Sequence, residues 1–475
     1  MNFITIEFVV FFVIFYSLYL LFSHKFQNYL LLIASYIFYG AWDWRFLSLI
    51  LFSTVLDYFC GLKIEENQSN NTKKRFLILS LVGNLGLLFF FKYFNFFTDS
   101  FIHLLHILGV KANYQVINIV LPVGISFYTF QTLSYTIDIY RREIKPTKKF
   151  SDFALFVAFF PQLVAGPIER AKHLLPQIAK PRIVNKVWIC EGAYLIFWGL
   201  FQKVFIANNL ARLVDPVFAQ ARPDGGWALI IAVYAFTFQL FCDFAAYSNI
   251  ARGLGRLMGF DIMINFFSPF FVTNVQEFWK RWHISLSTWF KDYVYIPLGG
   301  SRVSFKRWLT NIMIVFLLSG IWHGAAWTFV LFGLYYGGLF CLYVVIKPKL
   351  NQFFNFRSEL MQRMWQGVLI VFIFHLNVLG MMFFRAQSLG QAGHIAKNLI
   401  LPTFSDFTAH SVGISQFVSY VWLLLIVQYF QYKKNDVLIV MKSPVFIRWT
   451  AYALMFILIV SGGNFSNEEF IYFVF

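Results

Sequence analysis

The sequence predicts an all-α integral membrane protein. The expected architecture is a helical bundle of about eleven spans, with re-entrant helices around a central chamber. Three observations predict it. Of 475 residues, 59% are hydrophobic and 13% are charged, against about 25% charged in an ordinary soluble domain. Apolar runs of roughly 20 residues, the length that crosses a bilayer, recur along the whole chain. The 39 Lys and Arg outnumber the 22 Asp and Glu, and they gather in short loops between those runs.

In chain order, Phe3–Phe22 carries neither a basic leader nor a small-residue cleavage site, so it reads as a retained first helix. Leu77–Phe97, Val187–Ala207, Trp227–Ala246, Asn311–Phe340 and Gly413–Phe430 are each long and apolar enough to span. Between them, Pro122, Gly124, Pro161, Gly166 and Pro167 break runs that would otherwise continue. Irregular backbone at membrane depth survives only where protein buries it or where it lines a cavity. Re-entrant helices around a chamber account for those breaks; ordinary helix kinks account for any single one equally well. The chain reads as one polytopic domain over residues 1–475, with residues 464–475 as an aromatic tail.

The basic loops set the expected topology. Lys63–Arg75, Arg141–Lys149, Arg170–Lys186, Arg302–Arg307, Lys347–Lys349 and Lys433–Lys442 are the segments the positive-inside rule assigns to the cytoplasm. Both termini then lie outside. A net charge of +17 would suggest nucleic acid in a soluble protein. Here the charge belongs to loops at a membrane surface, so the partner it implies is the lipid bilayer and not nucleic acid. Cys60, Cys190, Cys242 and Cys341 are far apart and sit in or beside apolar segments, so neither a disulfide framework nor a metal site is indicated.

An ionisable group inside an apolar run is costly and needs a reason. His323 lies in Ser319-Gly320-Ile321-Trp322-His323-Gly324-Ala325-Ala326-Trp327, within a run from Ile312 to Phe340 that has no Lys, Arg, Asp or Glu. Its small neighbours let a backbone or a ligand come close. His283 lies in Phe278-Trp279-Lys280-Arg281-Trp282-His283-Ile284-Ser285, where helical spacing would put Trp279, His283 and Leu286 on one face and Arg281 and Ser285 on another. Cations and Trp this dense suggest an interfacial helix, ended by the turn signal Tyr295-Ile296-Pro297-Leu298-Gly299-Gly300. Either His alone is as consistent with a structural role as with a catalytic one. Asp243, in Phe241-Cys242-Asp243-Phe244, should pair with a cation or a hydroxyl, and a tie between helices explains it without catalysis. No nucleotide-binding glycine loop, zinc-protease motif or serine-hydrolase elbow is present.

At His283 and His323 the sequence resembles the membrane-bound O-acyltransferase (MBOAT) superfamily, and within it the bacterial alginate and peptidoglycan O-acetyltransferase subgroup. The stretches that carry the resemblance are residues 121–131, residues 160–168, Cys242-Asp243-Phe244 through Ser248, residues 278–300 with His283, and Gly320-Ile321-Trp322-His323-Gly324. The match departs at Met381, Ala246 and Asn249, where the family more often has Trp, Gly and Asp. The resemblance implies that His323 is the catalytic His and His283 a second active-site residue, with Trp322, Trp282, Asp243 and Arg281 supporting the chamber. It implies no bound cofactor and a donor, acetyl-coenzyme A, on the cytoplasmic side. It implies a bacterial inner membrane, and a periplasmic or surface transferase partner that passes the acetyl group to a polysaccharide. The terminal Phe470-Ile471-Tyr472-Phe473-Val474-Phe475 resembles the subgroup's aromatic C-terminal motif, whose Tyr is proposed as an acyl carrier; an aromatic belt at the membrane surface is the plainer reading of the same residues. A phenol of pKa about 10 makes its acetyl ester a better acyl donor than a sugar ester. Two other functions remain open at this stage: D-alanyl or other acyl transfer on the same fold, and transport, since buried His and Asp in broken helices also mark proton-coupled carriers.

Overall fold

The computed structural model of the chain describes residues 1–111, 117–164, 166–353, 358–399, 410–466 and 470–471. All regular structure in them is helical. In order the helices are α1 (Ile6–Leu21), α2 (His24–Asp43), α3 (Leu47–Glu66), α4 (Asn70–Leu88), α5 (Phe94–Ile107), α6 (Ile125–Tyr140), α7 (Phe150–Ala158), α8 (Phe160–Leu163), α9 (Ala171–Ala179), α10 (Lys186–Leu200), α11 (Asn208–Phe218), α12 (Trp227–Leu257), α13 (Val275–Arg281), α14 (Ile284–Phe290), α15 (Phe305–His323), α16 (Trp327–Phe353), α17 (Glu359–Arg385), α18 (Leu389–Asn398), α19 (Ser411–Lys434), α20 (Ile439–Lys442) and α21 (Val445–Gly462). Wider π-helical turns at Phe89–Tyr93, Phe201–Ala207 and Lys291–Tyr295 join α4 to α5, α10 to α11, and α14 to the turn that follows it.

Eight helical runs among the described residues are long and apolar enough to cross a membrane. The sequence pattern suggested about eleven spans by the same length criterion. The difference has local causes. The helices α2 and α3 follow one another inside a single run, His24–Glu66, and α1 has 16 residues. Apart from the count, the apolar stretch Asn311–Phe340 is not one helix: it breaks at Gly324–Ala326 into α15 and α16, of which α16 supplies the span. The outer faces suit lipid. In α21, Val445, Phe446, Trp449, Phe456 and Val460 are all exposed, a face too apolar to leave in water. The chain is thus a multi-pass membrane protein.

The fold divides into two compact units, residues 1–196 with 250–263, and residues 197–249 with 264–475. In the first, a polar cluster ties three helices together. Asp57 of α3 accepts from Ser80 Oγ (2.5 Å) and Asn84 Nδ2 (2.9 Å) of α4, and Ser80 bonds Thr136 of α6 at 3.0 Å. Asp57, a carboxylate within the apolar run of residues 47–62, was the sequence signal of this cluster. A bonded Asp among apolar helices costs far less than a lone one. At one end, Arg182 donates to Tyr19 Oη (2.8 Å) and Asn28 Oδ1 (2.7 Å) and lies over Phe260. Glu169, fully buried, accepts from the Met263 N–H (2.6 Å) and meets His173 Nδ1 at 2.7 Å. The helices α10 and α12 cross where Gly192 and Gly253 face each other; a Cβ on either would lie 2.7 Å from the other's carbonyl oxygen.

The expected breaks hold. Gly124 sits at φ +76°, and a Cβ there would lie 2.7 Å from the Leu163 oxygen, so the chain can turn into α6 at that point only with glycine. Pro161 opens α8, where a missing N–H costs nothing. The short helices α7 and α8 are buried along almost their whole length.

Candidate functional site

The second unit holds both histidines. His323 is the last residue of α15, and Gly324 continues in extended backbone. The α15–α16 pair is built on glycine. A Cβ at Gly320 would lie 2.3 Å from the Phe329 oxygen, and one at Gly333 would lie 2.5 Å from the Phe316 oxygen. With hydrogen alone at both positions the backbones touch, and the end of α15 is fixed against α16.

His283 is not inside a helix. The single interfacial helix expected over residues 278–290 is two short ones, α13 and α14, and His283 lies between them at φ +44°, ψ +54°. This left-handed conformation costs a non-glycine residue about 1–2 kcal/mol. The shared face expected for Trp279, His283 and Leu286 therefore does not form. The strained turn is held from both sides. Ile284 N–H donates to the Asn265 carbonyl (2.9 Å), Ser285 N–H and Oγ donate to Asn265 Oδ1 (3.3 and 3.0 Å), and Phe267 N–H donates to the Arg281 carbonyl (3.0 Å). Asn265 in turn donates to Ser248 Oγ of α12 at 3.1 Å. Backbone strain persists only where its surroundings over-determine it, and such strain gathers at functional sites.

The two imidazoles come together. Their ring centroids are 6.1 Å apart, and both are buried, at 0% and 2% exposure. Aromatic rings enclose them. Phe244 stands edge-on to His283 at 4.6 Å, and Trp322 packs 5.7 Å from His283 and 5.1 Å from His323. Phe332 and Phe384 close over His323 at 5.6 and 5.2 Å. Trp282 packs on Phe266, Phe270 and Phe278, and Phe266 in turn lies 6.3 Å from His283, so Trp282 supports the wall. Arg281 pairs with Glu277 (2.9 Å) and lies over Phe267 and Tyr432; it braces the turn beside His283.

Asp243 has its expected cation. Lys203 Nζ lies 2.6 Å from Asp243 Oδ1, and both side chains are almost fully buried. Lys203 was missed in the sequence, although a lone cation in the apolar run Val187–Ala207 was a usable signal. Asn265 was missed as a support; a polar residue between apolar segments has no local mark. Tyr472 lies outside the described residues.

The chemistry this arrangement suits is proton transfer between buried, water-poor groups. An imidazole is the side chain most often used for proton transfer near neutral pH, and the surrounding aromatic rings leave both imidazoles almost without exposed surface. The sequence profile described as "MBOAT, membrane-bound O-acyltransferase family" matches residues 8–385, a span that includes both histidines. The chain belongs to this family and is a membrane acyltransferase. It is 38% identical to a probable alginate O-acetylase of Azotobacter vinelandii over 86% of this chain and 79% of that one. It is 36% identical to a peptidoglycan O-acetyltransferase of Helicobacter pylori over 78% of this chain and 73% of that one. A teichoic acid D-alanyltransferase of Bacillus subtilis is 30% identical over 57% of this chain and 70% of its own.

Proposed function

We propose that this enzyme takes acetyl groups from cytoplasmic acetyl-coenzyme A and moves them across the inner membrane toward O-acetylation of an extracytoplasmic polysaccharide, through a partner transferase. The observation that carries the reading is the buried His283–His323 pair, 6.1 Å apart in an aromatic enclosure, in a chain similar to named polysaccharide O-acetylases. An acceptor hydroxyl attacks the thioester carbonyl, a C–O bond forms, and the C–S bond breaks. His323 takes the hydroxyl proton as general base and returns it to the departing coenzyme A sulfur. His283, held rigid by its backbone, orients the acceptor or polarises the carbonyl. Tyr472 is the acceptor we favour, with onward transfer to the partner. The basic loops face the cytoplasm, and both termini face outward.

The test is intact-mass measurement of the purified protein after incubation with acetyl-coenzyme A, beside His323→Ala and Tyr472→Phe. One acetyl adduct, erased by both substitutions, supports the reading. Coenzyme A release by His323→Ala at the wild-type rate removes His323 as the base. Similarity to a D-alanyltransferase supports a second reading, D-alanyl transfer. A D-alanyl thioester that acylates the chain while acetyl-coenzyme A does not would establish it.

A further inference from the structure

The end of the chain is stitched to the same helix that supplies the buried lysine. Asn208 and Asn464 exchange hydrogen bonds, Asn208 Nδ2 to the Asn464 carbonyl at 2.8 Å and Asn464 Nδ2 to the Asn208 carbonyl at 3.1 Å. Asn464 N–H donates to the Val204 carbonyl at 3.0 Å, and Asn209 Nδ2 donates to the Gly462 carbonyl at 2.8 Å. Beyond residues 467–469 the chain is held again. Ile471 N–H donates to Asp243 Oδ2 at 2.8 Å, and Phe470, fully buried, packs on Tyr247 (4.4 Å) and Phe244 (5.8 Å). Phe244 is the ring that stands against His283. Lys203 and Val204 both lie in the π-helical stretch Phe201–Ala207, a wide turn of the kind that recurs at functional sites.

We propose that Asp243, fixed by Lys203, is a positioning residue: it docks the C-terminal segment through the Ile471 N–H and so holds Phe470 against Phe244, the ring beside His283. A tie between two helices would need only the ion pair. Asp243 does more, because its second oxygen accepts a main-chain N–H from a segment more than 200 residues away. Lys203 Nζ lies 2.6 Å from Oδ1 and fixes the carboxylate from that side. The remaining oxygen is then a strong acceptor at a fixed place. The idea extends the proposed acetyl transfer, but the docking itself is measurable without it.

The experiment has two readouts. Ile471→Cys supplies a thiol at the docked position, and its maleimide labelling is followed by peptide mapping in the full-length protein, alone and with Asp243→Asn. Asn removes the charge and keeps the shape, so labelling should accelerate by roughly 10-fold or more. Lys203→Arg, which keeps the cation, should stay near the protected rate, while Lys203→Met should label fast. Unchanged protection in Asp243→Asn overturns the proposal. Turnover with acetyl-coenzyme A gives the second readout. Ile471→Pro deletes the N–H donated to Asp243. It should lower kcat, with KM for the donor retained, by the same factor as Asp243→Asn, and the double variant should fall no further. Additive losses would show that Asp243 acts apart from the chain end and would also overturn the proposal. If Asp243→Asn does not fold, Ile471→Pro decides alone: wild-type kcat in it refutes the docking role. A wild-type enzyme silent toward acetyl-coenzyme A would count against the proposed donor, while the labelling would still decide the docking.

Discussion

Gly320→Ala adds one methyl group three residues before His323, and the structure sets its cost. The new Cβ would lie 2.3 Å from the Phe329 oxygen and 3.0 Å from the Gly333 Cα and nitrogen. All three are backbone atoms, so no side chain can swing aside. Ordinary contact begins at 3.4 Å, so α15 and α16 must part by about 1 Å, an overpacking strain of about 1–3 kcal/mol. Alanine is the better helix former by roughly 0.5–1 kcal/mol, which offsets only part of that strain. The larger effect is on the site, because a shift of about 1 Å in a catalytic group costs about 100-fold in rate. The expected result is a folded protein with a lower thermal midpoint and a kcat down by about two orders of magnitude, read from acetyl-coenzyme A turnover and detergent-solubilised melting. Gly338→Ala on α16 is the control: its Cβ meets nothing within 4 Å, so it should melt no lower and turn over normally. A Gly320→Ala enzyme indistinguishable from wild type in both measurements would refute the claim that this crossing places His323.

Asn265→Ala removes the acceptor for Ser285 and the donor to Ser248. It should cost about 1–3 kcal/mol of stability and lower kcat through His283 while the protein stays monodisperse on gel filtration; a normal kcat would remove Asn265 as a support. The Glu169 hydrogen bond raises His173 above the ordinary imidazole range. Protonation of His173 therefore adds stability that is complete below about pH 6.5, the unfolded value, and is lost as pH rises through the raised folded value. His173→Gln should flatten the fall in melting midpoint between mildly acidic and alkaline buffer, and an unchanged slope would sink the assignment. For topology, cysteines introduced at the exposed Ser69 and Ser466 should react with an impermeant thiol reagent from opposite faces of oriented vesicles, with Ser69 cytoplasmic; labelling from one face would overturn the assignment of the termini.

The membrane class and the acyltransferase family were legible because both rest on local signals. Span length and hydropathy are properties of contiguous residues, and the motifs around His283 and His323 are short and dense. Asp243 was recognisable as a residue that needed a cation or a hydroxyl for the same reason, since a charge stands out in an apolar run; Asp57 and Lys203 carried the same signal. The sequence by itself thus determined a multi-pass helical membrane protein of this family and the places near Gly124 and Pro161 where helices must break, and it singled out His283 and His323 from nine histidines. Only the tertiary structure decided what meets what. Hydropathy is blind to a turn whose residues are themselves apolar, so the division of Asn311–Phe340 at Gly324–Ala326 had no signal in composition. The left-handed turn at His283 depends on Asn265, 18 positions earlier in the numbering of the chain. The pairing of Asp243 with Lys203, and its bond to Ile471, join segments far apart in sequence. Such pairings follow from packing in three dimensions, where desolvation makes every buried charge and N–H find a partner, and a linear pattern carries no record of which partner that is.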